Sequence, residues 1–374
     1  MSLSQFVDDK LKSRFSNNFD FLRILGAFFV LYYHCFPLTG TPEGYAVWIL
    51  GKFKIVDLGL IIFFVISGYL VTHSWSRSSS VYNYFWNRLL RLLPGLFGVA
   101  LVTIFIIGPL VTVIPVADYF KNPMTWGYFK IMTMYYYNLT LPGVFVDNVL
   151  PNLVNGSIWM LSLFFNMYII VAVLGLVGWL YKRKVVILIT SLFMVIYLNL
   201  MFHLPTIHLR AVEKFLYPNG GVFAITFMVG ILLYLYRDKI KYDIKIALVM
   251  LAIFLLSLNN KLTLILASSI ILPYLILYVA FAKIPYVNKV GKYGDYSYGI
   301  YIYAFPVQQS VEHFIPGISV AGMFILSTLI TVPLAILSFK LIESKALRLK
   351  SINVKDFIEK KFKFSERRKR FGRF

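Results

Sequence analysis

"RILGAFFVLYYH", residues Arg23 to His34, reads as the middle of an apolar helix with an arginine at one end and a histidine at the other. The run around it, near 19–38, is long enough to cross a bilayer, which takes roughly 17–25 mainly apolar residues. The whole chain follows suit. Its 374 residues are 59% hydrophobic, 18% aromatic and only 14% charged. A water-soluble globule needs more polar surface than that, whereas lipid solvates apolar side chains on every side of a helix. Ten such runs lie near 19–38, 54–75, 92–116, 157–181, 184–203, 217–236, 245–260, 262–282, 293–313 and 317–340. The expected fold class is therefore all-α, a polytopic membrane protein with about ten transmembrane helices. Met1 to Asp20 is polar and mixed in charge, without a cleavable-signal pattern, so the first run is expected to remain as a helix.

The formal net charge is +21, which raises nucleic acid as a partner, but the positions of the charges argue against it. Basic clusters fall in alternate loops: Arg77, Arg88 and Arg91, then Lys182 to Lys184, then Arg237 to Lys245, then Lys283 to Lys292. Residues 345–374 add 12 basic against 3 acidic residues. This is the pattern of the positive-inside rule, and with an even number of spans it puts both termini in the cytoplasm. Residues 1–343 read as one membrane domain and 344–374 as a basic cytoplasmic tail attracted to lipid. The single Cys35 excludes an intramolecular disulfide and a multi-cysteine metal site, and no metal is expected.

Eleven residues advance a helix by 1100°, about 20° beyond three turns. Arg23 and His34 thus share one face, roughly 16 Å apart along the axis. Arg23 could simply snorkel to headgroups and His34 could be a hydrogen-bonded core residue. Two ionisable groups on one stripe of a span more often line a pathway or a site. The second run, "IVDLGLIIFFVISGYLVTH" (Ile55 to His73), runs the other way and carries Asp57 at the outer depth of His34. A carboxylate beside an imidazole holds its tautomer and supports a general base, so Asp57 and His34 are the expected catalytic pair. The alternative is an Asp57 that sits at the interface. Toward the cytoplasm lie Ser67 and, in "NRLLRLLPG", Arg88 and Arg91, three apart on one face. With Arg23 they would form a basic mouth suited to phosphate groups, although positive-inside topology also accounts for the arginines.

These motifs resemble the integral-membrane acyltransferase-three family. Its hallmark arginine and histidine match Arg23 and His34; Val56 to Leu70, Arg88 to Pro94, Asn155 to Leu161 and Gly294 to Gln309 are similar to its later segments. The resemblance implies about ten helices, acetyl-CoA or another acyl-CoA as co-substrate with no permanently bound cofactor, and O-acylation of an exported or surface glycan such as O-antigen in the bacterial inner membrane. The expected catalytic residues are His34 and Asp57, and the expected donor-binding residues Arg23, Ser67, Arg88 and Arg91. Partners would be acyl-CoA, a carbohydrate acceptor and membrane lipid. The chain departs from the family at Phe164, where a glutamate often stands, and at Ala304 after Tyr303, where a histidine is often seen.

Other features carry bland readings. The aromatic loop 117–155 suits an interfacial belt or sugar stacking. Asn138 opens a glycosylation sequon, His203 and His208 share a loop with no metal-ligand spacing, Glu312-His313 reads as solvated, and Cys35 as packing. Two other function classes stay open: a lipid-linked glycan transporter or flippase using the same intramembrane charges, and an inactive membrane scaffold, suggested by Phe164.

Overall fold

A computed structural model describes residues 17–44, 48–135, 139–202 and 220–351. Of the described residues 76% are helical, and they contain ten long helices. These are α1 (Phe19–Leu38), α2 (Ile55–Arg77), α3 (Val81–Val102), α4 (Met160–Leu176), α5 (Arg183–Phe202), α6 (Gly220–Leu235), α7 (Ile244–Ser257), α8 (Lys261–Phe281), α9 (Ser297–Phe314) and α10 (Val320–Ser338). Each overlaps one of the ten apolar runs. Six are long and apolar enough to cross a membrane: α1, α2, α3 extended to Val111, α5, α8, and α10 extended to Ser351. α4, α6 and α7 are shorter apolar helices. The only sheet among the described residues is a hairpin of β1 (Trp48–Ile49) and β2 (Phe53–Lys54).

α3 begins eleven residues before its apolar run. Ser80 starts it by accepting a hydrogen bond from the Asn83 N–H, an N-cap that lets the polar turns bearing Arg88 and Arg91 belong to the helix. Hydropathy marks where lipid begins; the cap marks where the helix begins.

α2 and α9 form the centre. α2 packs against α1, α4, α6 and α8, and α9 against α1, α3 and α10. Helices in lipid gain little from apolar burial and associate through close approach, which small residues permit. On α2, Gly59 meets Gly26 of α1, and Gly68 meets the Phe227 backbone of α6. A Cβ on Gly26 would stand 2.9 Å from the Gly59 carbonyl oxygen. Around this centre, α5, α7 and α10 expose Leu188, Leu192, Leu248, Val249, Leu256, Ile325 and Leu329, the surface that acyl chains would cover.

Polar side chains stitch the outer loops to α9. Asn148 Nδ2 donates to the Gln309 carbonyl at 2.8 Å, and Gln309 Nε2 donates to the carbonyls of Leu150 (2.9 Å) and Leu153 (2.6 Å). In the loop 117–135, Tyr119 and Tyr128 are fully buried, whereas Trp126 and Tyr135 are exposed. The hairpin is tied down by Lys54, whose Nζ lies 2.7 Å from Glu43 and 5.1 Å from the Trp48 ring centroid.

Replacing Gly59 with leucine should force α1 from α2 and cost about 1–3 kcal/mol, the usual range for overpacking. A lowered thermal midpoint of the detergent-solubilised protein, with Gly44→Leu as an unaffected control in open space, is the expected result.

Candidate functional site

Asp295 lies at the centre of the site. It precedes α9 and is 3% exposed. Oδ1 accepts from the Ser297 backbone N–H at 3.1 Å and from the Ser297 hydroxyl. Oδ2 accepts from Arg23 Nη1 at 3.0 Å and from Arg91 Nη2. Arg23 also reaches Asp20 at 3.3 Å, one turn back on α1. One buried carboxylate therefore ties α1, α3 and α9 together. Gly294 makes the preceding turn at φ +140, a backbone conformation that side chains disfavour.

Beside this junction is a cavity of about 110 Å³. Arg23, Arg88 and Arg91 form its cationic end, Ser67 projects into it, and Phe63, Phe164, Tyr298 and Tyr301 are among its apolar and aromatic walls. All four residues expected to bind the donor thus line one space. Arg88 Nη2 donates to Ser74 Oγ at 3.0 Å, and its guanidinium lies 5.9 Å from the Tyr168 ring centroid. Its buried Nε has no hydrogen-bond partner.

His34 sits beyond the cavity. Its ring stands edge-on to Phe305, centroids 5.2 Å apart at 80°. Phe305 lies one turn, about 6 Å, along α9 from Tyr301 of the cavity wall. Arg23 meets the segment entering α9 and His34 meets α9 itself, so both ends of the stripe face the same neighbour. His34 Nδ1 is buried with no hydrogen-bond partner.

The expected His34–Asp57 pair does not form. Asp57 lines a separate space of about 210 Å³ with Trp48, Lys54, Tyr197 and Phe223. The cause is rotational. Gly59 faces α1, and Asp57, two residues earlier, is about 200° away round the helix. Equal depth in the membrane did not make the two side chains neighbours. Gly68, eleven residues from Asp57, does share its face: both turn toward α6.

Other candidates resolve simply. Glu312 is buried, 5% exposed, rather than solvated. Cys35 is buried; its Sγ donates to the Leu31 carbonyl at 3.4 Å and accepts from Gln308 Nε2 at 3.1 Å. Phe164 stacks on Phe64, centroids 3.9 Å apart. Asn155 Nδ2 donates to the Ile302 carbonyl at 2.9 Å, fixing the Asn155–Leu161 motif to α9. No metal-binding cluster occurs among the described residues. Asn138, His203 and His208 lie outside the described residues. Asp295, Tyr168, Tyr298 and Tyr301 were not singled out from the sequence. For Asp295 the signal was present: an ionisable residue at the edge of an apolar run.

The sequence pattern described as "Acyltransferase domain", that of the acyltransferase-three family, matches residues 16–340. The chain belongs to this family. It is 30% identical over 347 residues to an "O-acetyl transferase" of Shigella phage Sf6, covering 89% of this chain and 96% of that protein. It is also 41% identical over 88 residues, 22% of each chain, to "Nodulation protein 10" of Rhizobium leguminosarum bv. viciae. No solved structure matches. Family membership and the apolar helices together make the protein an O-acyltransferase of multi-pass membrane type.

Removing Asp295 leaves two guanidinium groups facing each other, and breaking a buried ion pair typically costs about 3–5 kcal/mol. Asp295→Ala should therefore lower the thermal midpoint sharply, whereas Asp20→Ala, which removes the longer Arg23 contact at 3.3 Å and leaves the Asp295 junction in place, should lower it less. Equal shifts from the two substitutions contradict the central place given to Asp295.

Proposed function

We propose that the protein moves an acetyl group from cytoplasmic acetyl-CoA to a hydroxyl of an exported or surface polysaccharide, such as O-antigen, in the bacterial inner membrane. The chain crosses ten times, with both termini cytoplasmic. The observation that carries this reading is the alignment along α1 and α9. A cationic, aromatic-walled cavity begins at Arg23 and reaches Tyr301, one turn along α9 from Phe305, whose ring contacts His34.

The donor's phosphates pair with Arg23, Arg88 and Arg91 through charge-assisted hydrogen bonds. Its pantetheine arm lies along Phe63, Phe164 and Tyr301, bringing the thioester toward His34. A glutamate at position 164 would place a carboxylate against Phe64; phenylalanine keeps that wall apolar and suits an uncharged arm. The unpaired imidazole nitrogen of His34 accepts the acceptor's hydroxyl proton as the oxygen attacks the thioester carbonyl. The C–S bond then breaks, and the imidazolium returns the proton to the departing CoA sulfur. Asp57 faces α6 and takes no part in orienting the ring.

Positioned base catalysis contributes about 10²–10⁴-fold. His34→Ala should lower acetylation by that factor while the protein stays in the membrane, and Asp57→Asn should leave the rate nearly unchanged. Expression in a strain of known O-antigen supplies the readout: acetyl-CoA thioester loss in membranes and a one-acetyl mass shift of the polysaccharide. Near-normal acetylation by His34→Ala rejects the base, and a wild type that moves glycan without acetylating it favours a transporter.

A further inference from the structure

A second cleft adjoins the first cavity at Ser74 and has a volume of about 460 Å³. Its walls include Ser74, Arg77, Asn83, Trp86, Asn87 and Lys350. Ser74 joins the two spaces, since its hydroxyl accepts from Arg88 of the first cavity while lining the second.

Lys350 is the unexpected member. It belongs to the segment after α10, and Trp86 Nε1 holds that segment to α3 by donating to the Leu349 carbonyl at 3.0 Å. This bond tethers residues 349–351 to α3 while their side chains stay exposed, although the basic run that contains them reads as a free solvated tail. Arg77 lines the same cleft as Lys350, and Arg88 reaches its edge through Ser74. No carboxylate pairs with Lys350 among the described residues. Asp295 pairs with Arg23 and Arg91, but Arg77, Arg88 and Lys350 have no carboxylate partner among the described residues, so an anion in the cleft would relieve their mutual repulsion. Asn87 Oδ1, buried and without a hydrogen-bond partner, adds an acceptor for N–H groups.

The chemistry of the cleft is thus that of a phosphate joined to a flat, hydrogen-bonding ring. A ligand reaching from here into the first cavity must also be narrow at Ser74 and Arg88. We infer that the cleft receives the adenosine 3′,5′-bisphosphate end of the acyl-CoA donor, with Trp86 against the adenine and Lys350 and Arg77 on the phosphates. The inference rests on the acetyl-CoA reading above. It makes the chain beyond α10 part of the donor site and assigns Lys350 and Trp86 as donor-binding residues.

The test uses the full-length protein in nanodiscs of zwitterionic lipid, with radiolabelled CoA as ligand. Adenosine 3′,5′-bisphosphate should displace the label from wild type. Lys350→Ala and Trp86→Ala should each weaken CoA about tenfold, the worth of one charge-assisted bond or one stacked base. Trp86→Phe, which keeps a ring, should restore much of the loss. The competition experiment on wild type needs no variant to fold. CoA affinity unchanged in both alanine variants, or failure of the bisphosphate to compete, overturns the assignment. Anionic lipid retained by wild type and lost by Lys350→Ala in native mass spectrometry would then identify a headgroup phosphate as the ligand. A wild type that binds no CoA overturns the donor reading itself. A wild type that binds and consumes acetyl-CoA, with variants that do the same, overturns the cleft alone.

Discussion

Two arginines from different helices meet inside the bundle, and they can do so only because Asp295 stands between them. Without it, Arg23 and Arg91 would repel across a poorly hydrated space and α1 and α3 would separate at that end. With it, α1, α3 and α9 converge on one carboxylate whose other oxygen is held by Ser297. Such a network adds little net stability, because desolvating the charges offsets much of their attraction. Its effect is positional. It fixes where the helices cross, and it leaves more positive than negative charge at the end of an otherwise apolar cavity.

The small residues of α1 and α2 complete the frame. Gly26 against Gly59 brings the two backbones together, and Phe63, whose ring packs against Gly26 at the seam, also lines the cavity. Gly68 does the same for α6 on the opposite side of α2. One helix thereby serves two interfaces. Its cavity-facing stripe, Leu60, Phe63 and Ser67, lies between them. The polar junction sets the end of the site and the glycines set its width.

Much of this was legible in the chain. The helices followed from runs of apolar residues, and the common face of Arg23 and His34 followed from the helical period, because both are local properties. The limits are equally physical. Depth along a helix axis was read for Asp57, but its rotation was not, and rotation decides neighbours; Gly59, two residues on, held the missing information. Asp295 lies 272 residues from Arg23, and nothing local in sequence says that they pair. The start of α3 was misplaced because hydropathy senses lipid whereas the Ser80 cap senses only backbone N–H groups.

The separation of charge from base is itself informative. Arg23 and His34 are about 16 Å apart along one helix, with an aromatic-walled space over part of that distance. A ligand whose charge lay next to its reacting atoms would use the two groups together and would need them close. A donor with its phosphates at one end and its thioester at the other needs them far apart, joined by a channel without charges that could trap it midway. His34 fits such a channel better without a carboxylate partner. The edge of Phe305 holds the ring without adding charge, and the unpaired nitrogen leaves room for the hydroxyl that the proposed reaction requires. On this view the missing Asp57 contact and the phenylalanine at position 164 have one cause: the path between the guanidinium groups and the imidazole is kept neutral.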